Sequence, residues 1–164
     1  MRVPTQSDPA ASKTMRYARL SEEIDAVLQG EEDHIARMAT VTAMLSAEFE
    51  AFFWAGFYCV DPSRERELVV GPYQGTLGCL RIAYGRGVCG VAAERRETLI
   101  VPDVDAFPGH IACDSRSRSE IVVPVIDAAG DLIAVLDVDS TDLATFDEDD
   151  AAGLETILRQ VFGR

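Results

Sequence analysis

The hydrophobic period of this chain changes near residue 52, and that change limits the folds open to it. Before it, apolar residues recur at helical spacing. In "RLSEEIDAVLQ" (19–29) Leu20, Ile24, Val27 and Leu28 share one face, with Ser21 ahead of acidic residues as a start signal and Gly30 as a stop. In "EEDHIARMATVTAMLSAEF" (31–49) Ile35, Met38, Thr42 and Leu45 repeat the spacing, and acidic residues sit at the positive N-terminal end. After residue 52 the period falls to two. "FFWAGFYCV" (52–60) and "ERELVVGPYQG" (65–75), split by the turn-like "DPSR", read as a hairpin. "TLIVPDV" (98–104) is a short strand, and "EIVVPVIDAAGDLIAVLDVDS" (120–140) is a second hairpin, turning at Ala129-Gly130. A short helix near Val88 to Arg95 and a closing helix in "FDEDDAAGLETILRQVF" (146–162) complete the order. Helices bracketing a mostly antiparallel sheet make an α+β class.

At 164 residues the chain has room for one core, so a single domain over 15–164 is expected, with residues 1–14 as a flexible tail rich in Pro and small polar residues. With 28 acidic against 15 basic side chains, the formal charge of −13 repels a phosphate backbone, which argues against nucleic acid and anionic membrane as partners. No apolar run reaches the roughly 18 residues of a membrane span, and the start has no signal-peptide core, so a cytoplasmic protein is expected. The acidic "DEDD" at 147–150 reads as a helix N-terminus favoured by the dipole.

Chemistry is expected at the carboxylates and at the thiols. In "LIAVLDVDS", Ile133, Val135, Asp137 and Asp139 share one face by strand alternation, with Leu132, Ala134, Leu136 and Val138 on the other. With a two-residue turn at Ala129-Gly130, Glu120 falls opposite Asp139, and three carboxylates converge on one pocket. Like charges in a partly dry site cannot all ionise, so one keeps a proton and can act as a general acid. The alternative is that the two aspartates end the strand at a solvated rim. Pro124, with no N–H to donate, points to a bulge or a locally unpaired position there.

The glycine-rich "GPYQGTLGCLRIAYGRGVCGVAAERRE" (71–97) lacks the Gly-Lys-Ser/Thr of a phosphate loop and reads as a covering loop. Four cysteines are too few for a disulfide scaffold. Cys59, inside a strand, reads as a core residue. A zinc site from Cys79, Cys89, Cys113 and His110 is conceivable, but no CxxC pair pre-forms it, and neither metal nor cofactor is expected. Arg116, Arg118 and His110 near Cys113 would stabilise its thiolate, making Cys113 the candidate nucleophile. A thiolate, a proton donor and a second thiol on a glycine-rich loop form the parts of a reductase.

The segments "GPYQGTLGCLRIAYGRGVCG", "VPDVDAFPGHIACDSRSRSEIVVPV" and "AVLDVDSTDLATFDEDD" resemble the GAF-domain free methionine-(R)-sulfoxide reductases, over about residues 15–162. The resemblance implies a GAF-like fold with a six-stranded, mostly antiparallel sheet flanked by helices, and commonly a homodimer. It implies reduction of free methionine-(R)-sulfoxide with recharging by a thioredoxin-like dithiol. By position, Cys113 matches the catalytic cysteine, Cys79 the resolving cysteine that pairs with it, and Cys89 a third family cysteine. Glu120, Asp137 and Asp139 match carboxylates that hold the substrate and protonate its oxygen, with Asp139 the first choice as donor. Trp54 and Tyr58 match aromatics that box the substrate methyl group, where the residues alone would also fit plain core. One departure is the turn "DAAGD", a residue longer than the resemblance implies. The alternative from another class is a GAF sensor module that binds a small ligand without turnover.

Overall fold

The computed structural model describes residues 11–164, so the expected tail at 1–14 falls mostly outside the described residues. The first helix, α1 (Lys13–Val27), takes up its last two positions. Its N-cap is Ser12, whose side chain accepts from the Met15 N–H, and not Ser21 as the sequence pattern indicated. Ser21 lies mid-helix, where its hydroxyl donates to Gln160 at 2.6 Å. A polar residue followed by acids imitates a cap, and packing against the closing helix decides otherwise. Asp33 caps α2 (His34–Glu48). Ile35 and Val27, expected on inner faces, are 69% and 62% exposed.

The strands β1 (Trp54–Val60), β2 (Glu67–Gln74), β3 (Arg81–Ala83), β4 (Leu99–Val101), β5 (Ser119–Ile126) and β6 (Leu132–Ser140) form one sheet in the order β3-β2-β1-β6-β5-β4. All the pairings are antiparallel. The strand β3 lies inside the stretch expected to be only a covering loop. Ile82 alone of its three residues is buried, which is too short an alternation to show in the sequence. The helix α3 (Gly87–Arg95) follows it, and α4 (Glu148–Phe162) closes the chain with a capping box between Asp147 and Asp150.

Alternation sorts the side chains into two layers. On one face Ala55, Phe57, Ile121, Val123, Ala134, Leu136 and Val138 pack under α1, α2 and α4. On the other, Trp54, Tyr58, Val122 and Val135 pack with Val88, Cys89 and Ala92 of α3. The strand β6 is central and covered on both faces, so Asp137 is buried and Asp139 is half-buried near the strand's end.

Glu120 does pair with Asp139, but not through the turn that was expected. The N–H of Asp127 donates to Asp131 and that of Gly130 to Asp127, leaving Ala128, Ala129 and Gly130 as the loop. Gly130 takes the left-handed backbone such a loop requires, at φ 86°. This longer loop alone would shift the pairing by one. A bulge restores it: Val125 pairs with Ala134 and Ile126 with Leu132, so Ile133 has no partner. The bulge is therefore on β6, and Pro124 pairs regularly with Val135. It also turns Ile133 to the helical layer and Leu132 to the α3 layer, the reverse of simple alternation.

The helices α1 and α4 are locked where Tyr17 crosses Gly153. The Tyr17 hydroxyl donates to Asp150 at 2.8 Å, and Lys13 bonds Asp150 at 2.5 Å and Asp147 at 2.9 Å. A Cβ on Gly153 would stand 2.2 Å from the Tyr17 ring, which is 3% exposed. Gly→Ala inside a helix ordinarily gains about 0.5–1 kcal/mol. At position 153 the expected sign is opposite: Gly153→Ala forces overpacking costing about 1–3 kcal/mol. Thermal unfolding checks this, and a Tm at or above that of the unaltered chain would show that the helix crossing is loose.

Candidate active site

The face under α3 is apolar except near the ends of β5 and β6. There Glu120 lies across from Asp139, Asp139 from Trp54, and Asp137 from Val122 and Gly56. Together with Trp54, Tyr58, Cys89, His110 and Cys113 the three acids line one pocket. Glu120 and Asp137 are 5% and 6% exposed and Asp139 is partly open, so these are not solvated strand ends. Burial pushes all three carboxyls well above the usual carboxylate range. Second to burial, Asp139 raises Glu120, Glu120 raises Asp137, and Asp137 raises Asp139. The group keeps protons where isolated carboxyls would have lost them.

One glycine shapes the aromatic wall. Gly56 faces the pocket beside Asp137, and a Cβ there would meet the Trp54 ring at 2.5 Å and the Tyr73 Cβ at 2.3 Å. Its missing side chain lets the indole fold along the strand, stacked at 5.6 Å on Tyr58 and 5.2 Å on Tyr73. The indole N–H donates to the Thr76 carbonyl at 2.9 Å, which ties the wall to the loop bearing Cys79. A glycine inside a strand is the local signal for such a close approach, and Gly56 is not among the residues singled out in the sequence.

The cysteines divide into two kinds. Cys79, on the loop between β2 and β3, and Cys113, on the connection between β4 and β5, form a disulfide with Cα atoms 5.2 Å apart. Cys113 is exposed and Cys79 half-buried. Their loops are also joined by Thr76, whose hydroxyl donates to Asp114 at 2.8 Å. Arg116 does not serve as a thiolate partner here. It pairs with Asp114 at 2.8 Å and lies over the Phe53 ring at 4.8 Å, and it holds the Asp114 carboxyl well below its usual range. The residues Thr76 and Asp114 were missed in the sequence because a hydrogen bond between distant loops leaves no local pattern.

Cys89 is separate, 4% exposed in the first turn of α3, with Sγ 4.0 Å from Glu120 Oε1. Burial first, and then the three carboxylates, raise its pKa well above the ordinary value, so it rests as a neutral thiol. The conceivable Cys3His zinc set does not assemble, since two of its thiols are bonded to each other. Among the described residues, the group with ligand spacing is instead Cys89, Glu120 and Asp137, with donor atoms within 4.8 Å of one another. His110 meets the other oxygen of Glu120 at 3.3 Å, and burial lowers its pKa, leaving a neutral imidazole. Cys59 lies on the opposite face of the sheet, its Sγ 3.7 Å from the Met38 sulfur. A buried proton donor, an aromatic wall and a redox-active thiol pair around one pocket can bind a small polar molecule and give it two electrons and a proton.

The GAF domain family matches residues 33–162. "GAF domain-containing protein A" of Dictyostelium discoideum is 53% identical over 148 residues, covering 90% of this chain and 91% of that protein. The "Free methionine-R-sulfoxide reductase" of Escherichia coli is 41% identical over 150 residues, covering 92% and 88%. The X-ray structure of the free methionine-R-sulfoxide reductase from Neisseria meningitidis in complex with its substrate superposes with a TM-score of 0.89 at 45% identity, covering 97% of this chain and 93% of that one.

The buried acids lower stability in a pH-dependent way. The folded chain holds protons that the unfolded chain, titrating near pH ~4, has released. Their stabilising contribution is therefore full below about pH 4 and is lost as pH rises through the raised values. Asp137→Asn removes one charge from the group, so its Tm advantage over the unaltered chain is expected to grow from about pH 4 to mildly alkaline pH. Calorimetry across that range checks it. A difference that does not change with pH would mean that Asp137 titrates as a solvated group.

Proposed function

We propose that this chain, which belongs to the GAF domain family and within it to the free methionine-(R)-sulfoxide reductases, reduces free methionine-(R)-sulfoxide to methionine at this pocket, within a single domain of residues 15–164. The observation that carries the reading is the Cys79–Cys113 disulfide at the mouth of a pocket lined by three carboxyls whose pKa values burial raises. In the reduced protein the Cys113 thiolate attacks the sulfoxide sulfur. As the S–O bond breaks, the oxygen passes to Cys113 as a sulfenic acid, a carboxyl proton meets the oxygen in the transition state, and methionine leaves. The Cys79 thiolate then attacks the Cys113 sulfur and expels the oxygen as water, leaving the disulfide. Two thiols are oxidised and one sulfoxide is reduced per cycle.

Trp54 and Tyr58 supply a stacked apolar wall for the substrate's methyl end. Glu120 and Asp137 hold its ammonium, and Asp139, the less enclosed acid across from Glu120, donates the proton. Cys89 is a reserve thiol behind the acids. A pocket that matches a free ammonium leaves buried partners unmatched when a peptide replaces it, which makes the free amino acid the substrate. A thioredoxin-like dithiol recharges the pair, and the exposure of Cys113 supports access by such a partner. A reducing compartment, the cytoplasm, would keep it supplied. A homodimer completes the proposal, supported by Met15, Val27 and Ile35, which expose 65%, 62% and 69% of their surface.

The deciding experiment is incubation with racemic free methionine sulfoxide and a dithiol, followed by chiral analysis. Loss of the R epimer alone is expected, and persistence of both epimers would favour a sensor. Cys113→Ser is expected to abolish turnover, while Cys79→Ser releases about one methionine per chain and stalls, because attack precedes resolution. Full activity in Cys113→Ser would end the assignment. Asp139→Asn is expected to lose at least about 10²-fold in single-turnover rate with a smaller change in binding. A near-normal rate there would move the donor role to another acid.

A further inference from the structure

We propose that Cys89, Glu120 and Asp137 form a binding site for a thiophilic divalent cation of the zinc class, which occupies the pocket floor in place of the substrate's ammonium. The metal site stands on the geometry alone, and only its competition with substrate rests on the function proposed above.

The three ligands come from α3, β5 and β6, so the fold holds them in place before any cation arrives. Their donor atoms lie within 4.8 Å of one another, and Cys89 Sγ is 4.0 Å from Glu120 Oε1. Tetrahedral zinc with thiolate and carboxylate ligands brings sulfur and oxygen to about 3.5 Å. Small side-chain rotations close that difference. Asp137, 6% exposed, shares side-chain hydrogen bonds with its two fellow ligands Glu120 and Cys89, while its Oδ1 is left without a hydrogen-bond partner among the described residues. An orphaned carboxylate oxygen in a buried site is costly unless something satisfies it.

The donor set selects the metal. A thiolate among the ligands disfavours magnesium and calcium, which take all-oxygen shells, and suits zinc or cobalt. Three protein ligands leave a fourth position open toward the pocket that the same residues line. His110 contacts Glu120 Oε2 at 3.3 Å while Cys89 faces Oε1, so the imidazole orients the carboxylate from the outer side. On binding, the Cys89 thiol and any protonated carboxyl among the ligands release their protons to solvent. The cation then neutralises the charge that an ammonium group would otherwise meet.

The disulfide form isolates this site. With Cys79 and Cys113 bonded to each other, Cys89 is the pocket's remaining thiol, and Cys59 lies across the sheet. The test is titration of the oxidised protein with Co²⁺, read by thiolate-to-cobalt charge-transfer absorption and chased with Zn²⁺. The expected result is saturation at a single equivalent, loss of the band in Cys89→Ser, at least about tenfold weaker binding in Asp137→Asn, and no change in Cys59→Ser. Circular dichroism confirms folding, and if Cys89→Ser unfolds, Asp137→Asn decides. Absence of the band in the unaltered protein, or undiminished binding in Asp137→Asn, overturns the site. Saturating free methionine should weaken Co²⁺ binding, and unchanged affinity would overturn the competition. A protein without the band that still consumes the R epimer rejects the metal site alone. One that binds cobalt yet consumes neither epimer rejects the reductase reading and leaves the site standing.

Discussion

Carboxylates with almost no water around them persist in a folded chain only if they keep protons or meet a cation. Glu120 and Asp137 are held in that condition, with Asp139 half-buried beside them, by the pairing of β5 with β6, and the remaining parts of the site are placed with respect to them. Trp54 stands beside Asp139 because β1 pairs with the other edge of β6. Cys89 reaches Glu120 because α3 covers that face. A shift of the pairing by a single residue would send the acids under α1 and α4 and leave an apolar row facing the pocket.

That register depends on two compensating irregularities, a loop of Ala128, Ala129 and Gly130 and a bulge at Ile133. The sequence expectation reached the correct partner for Glu120 by assuming a shorter loop and no bulge there. The outcome agrees because each irregularity shifts the pairing by one in opposite senses. The face each side chain takes is readable from alternation where both strands are long and apolar, whereas the partner across the sheet depends on the loop and the bulge. The loop geometry is not readable, because Ala-Ala-Gly carries no strong turn chemistry.

The same distinction explains what else was legible. The face of β6 that bears Asp137 and Asp139 follows from alternation alone, and α4 follows from its cap and its apolar spacing. By contrast, β3 is too short to show a period, and the true start of α1 depends on contacts with α4 that lie far away in sequence. The tie between Thr76 and Asp114, which holds the two cysteine-bearing loops together, is invisible for the same reason. Elements set by local period are readable, and contacts between loops are not. A redox pair carried on loops can separate and rejoin without disturbing the sheet, which is where the acids remain fixed.

The account stands on the acids holding protons at neutral pH. Isotope-edited infrared spectroscopy of the carboxyl groups reads this directly. The expected result is a protonated-carboxyl stretch in the resting protein at neutral pH that loses intensity when any one of Glu120, Asp137 and Asp139 is replaced by its amide. A spectrum at neutral pH in which every side-chain carboxyl absorbs as an ionised carboxylate would contradict it.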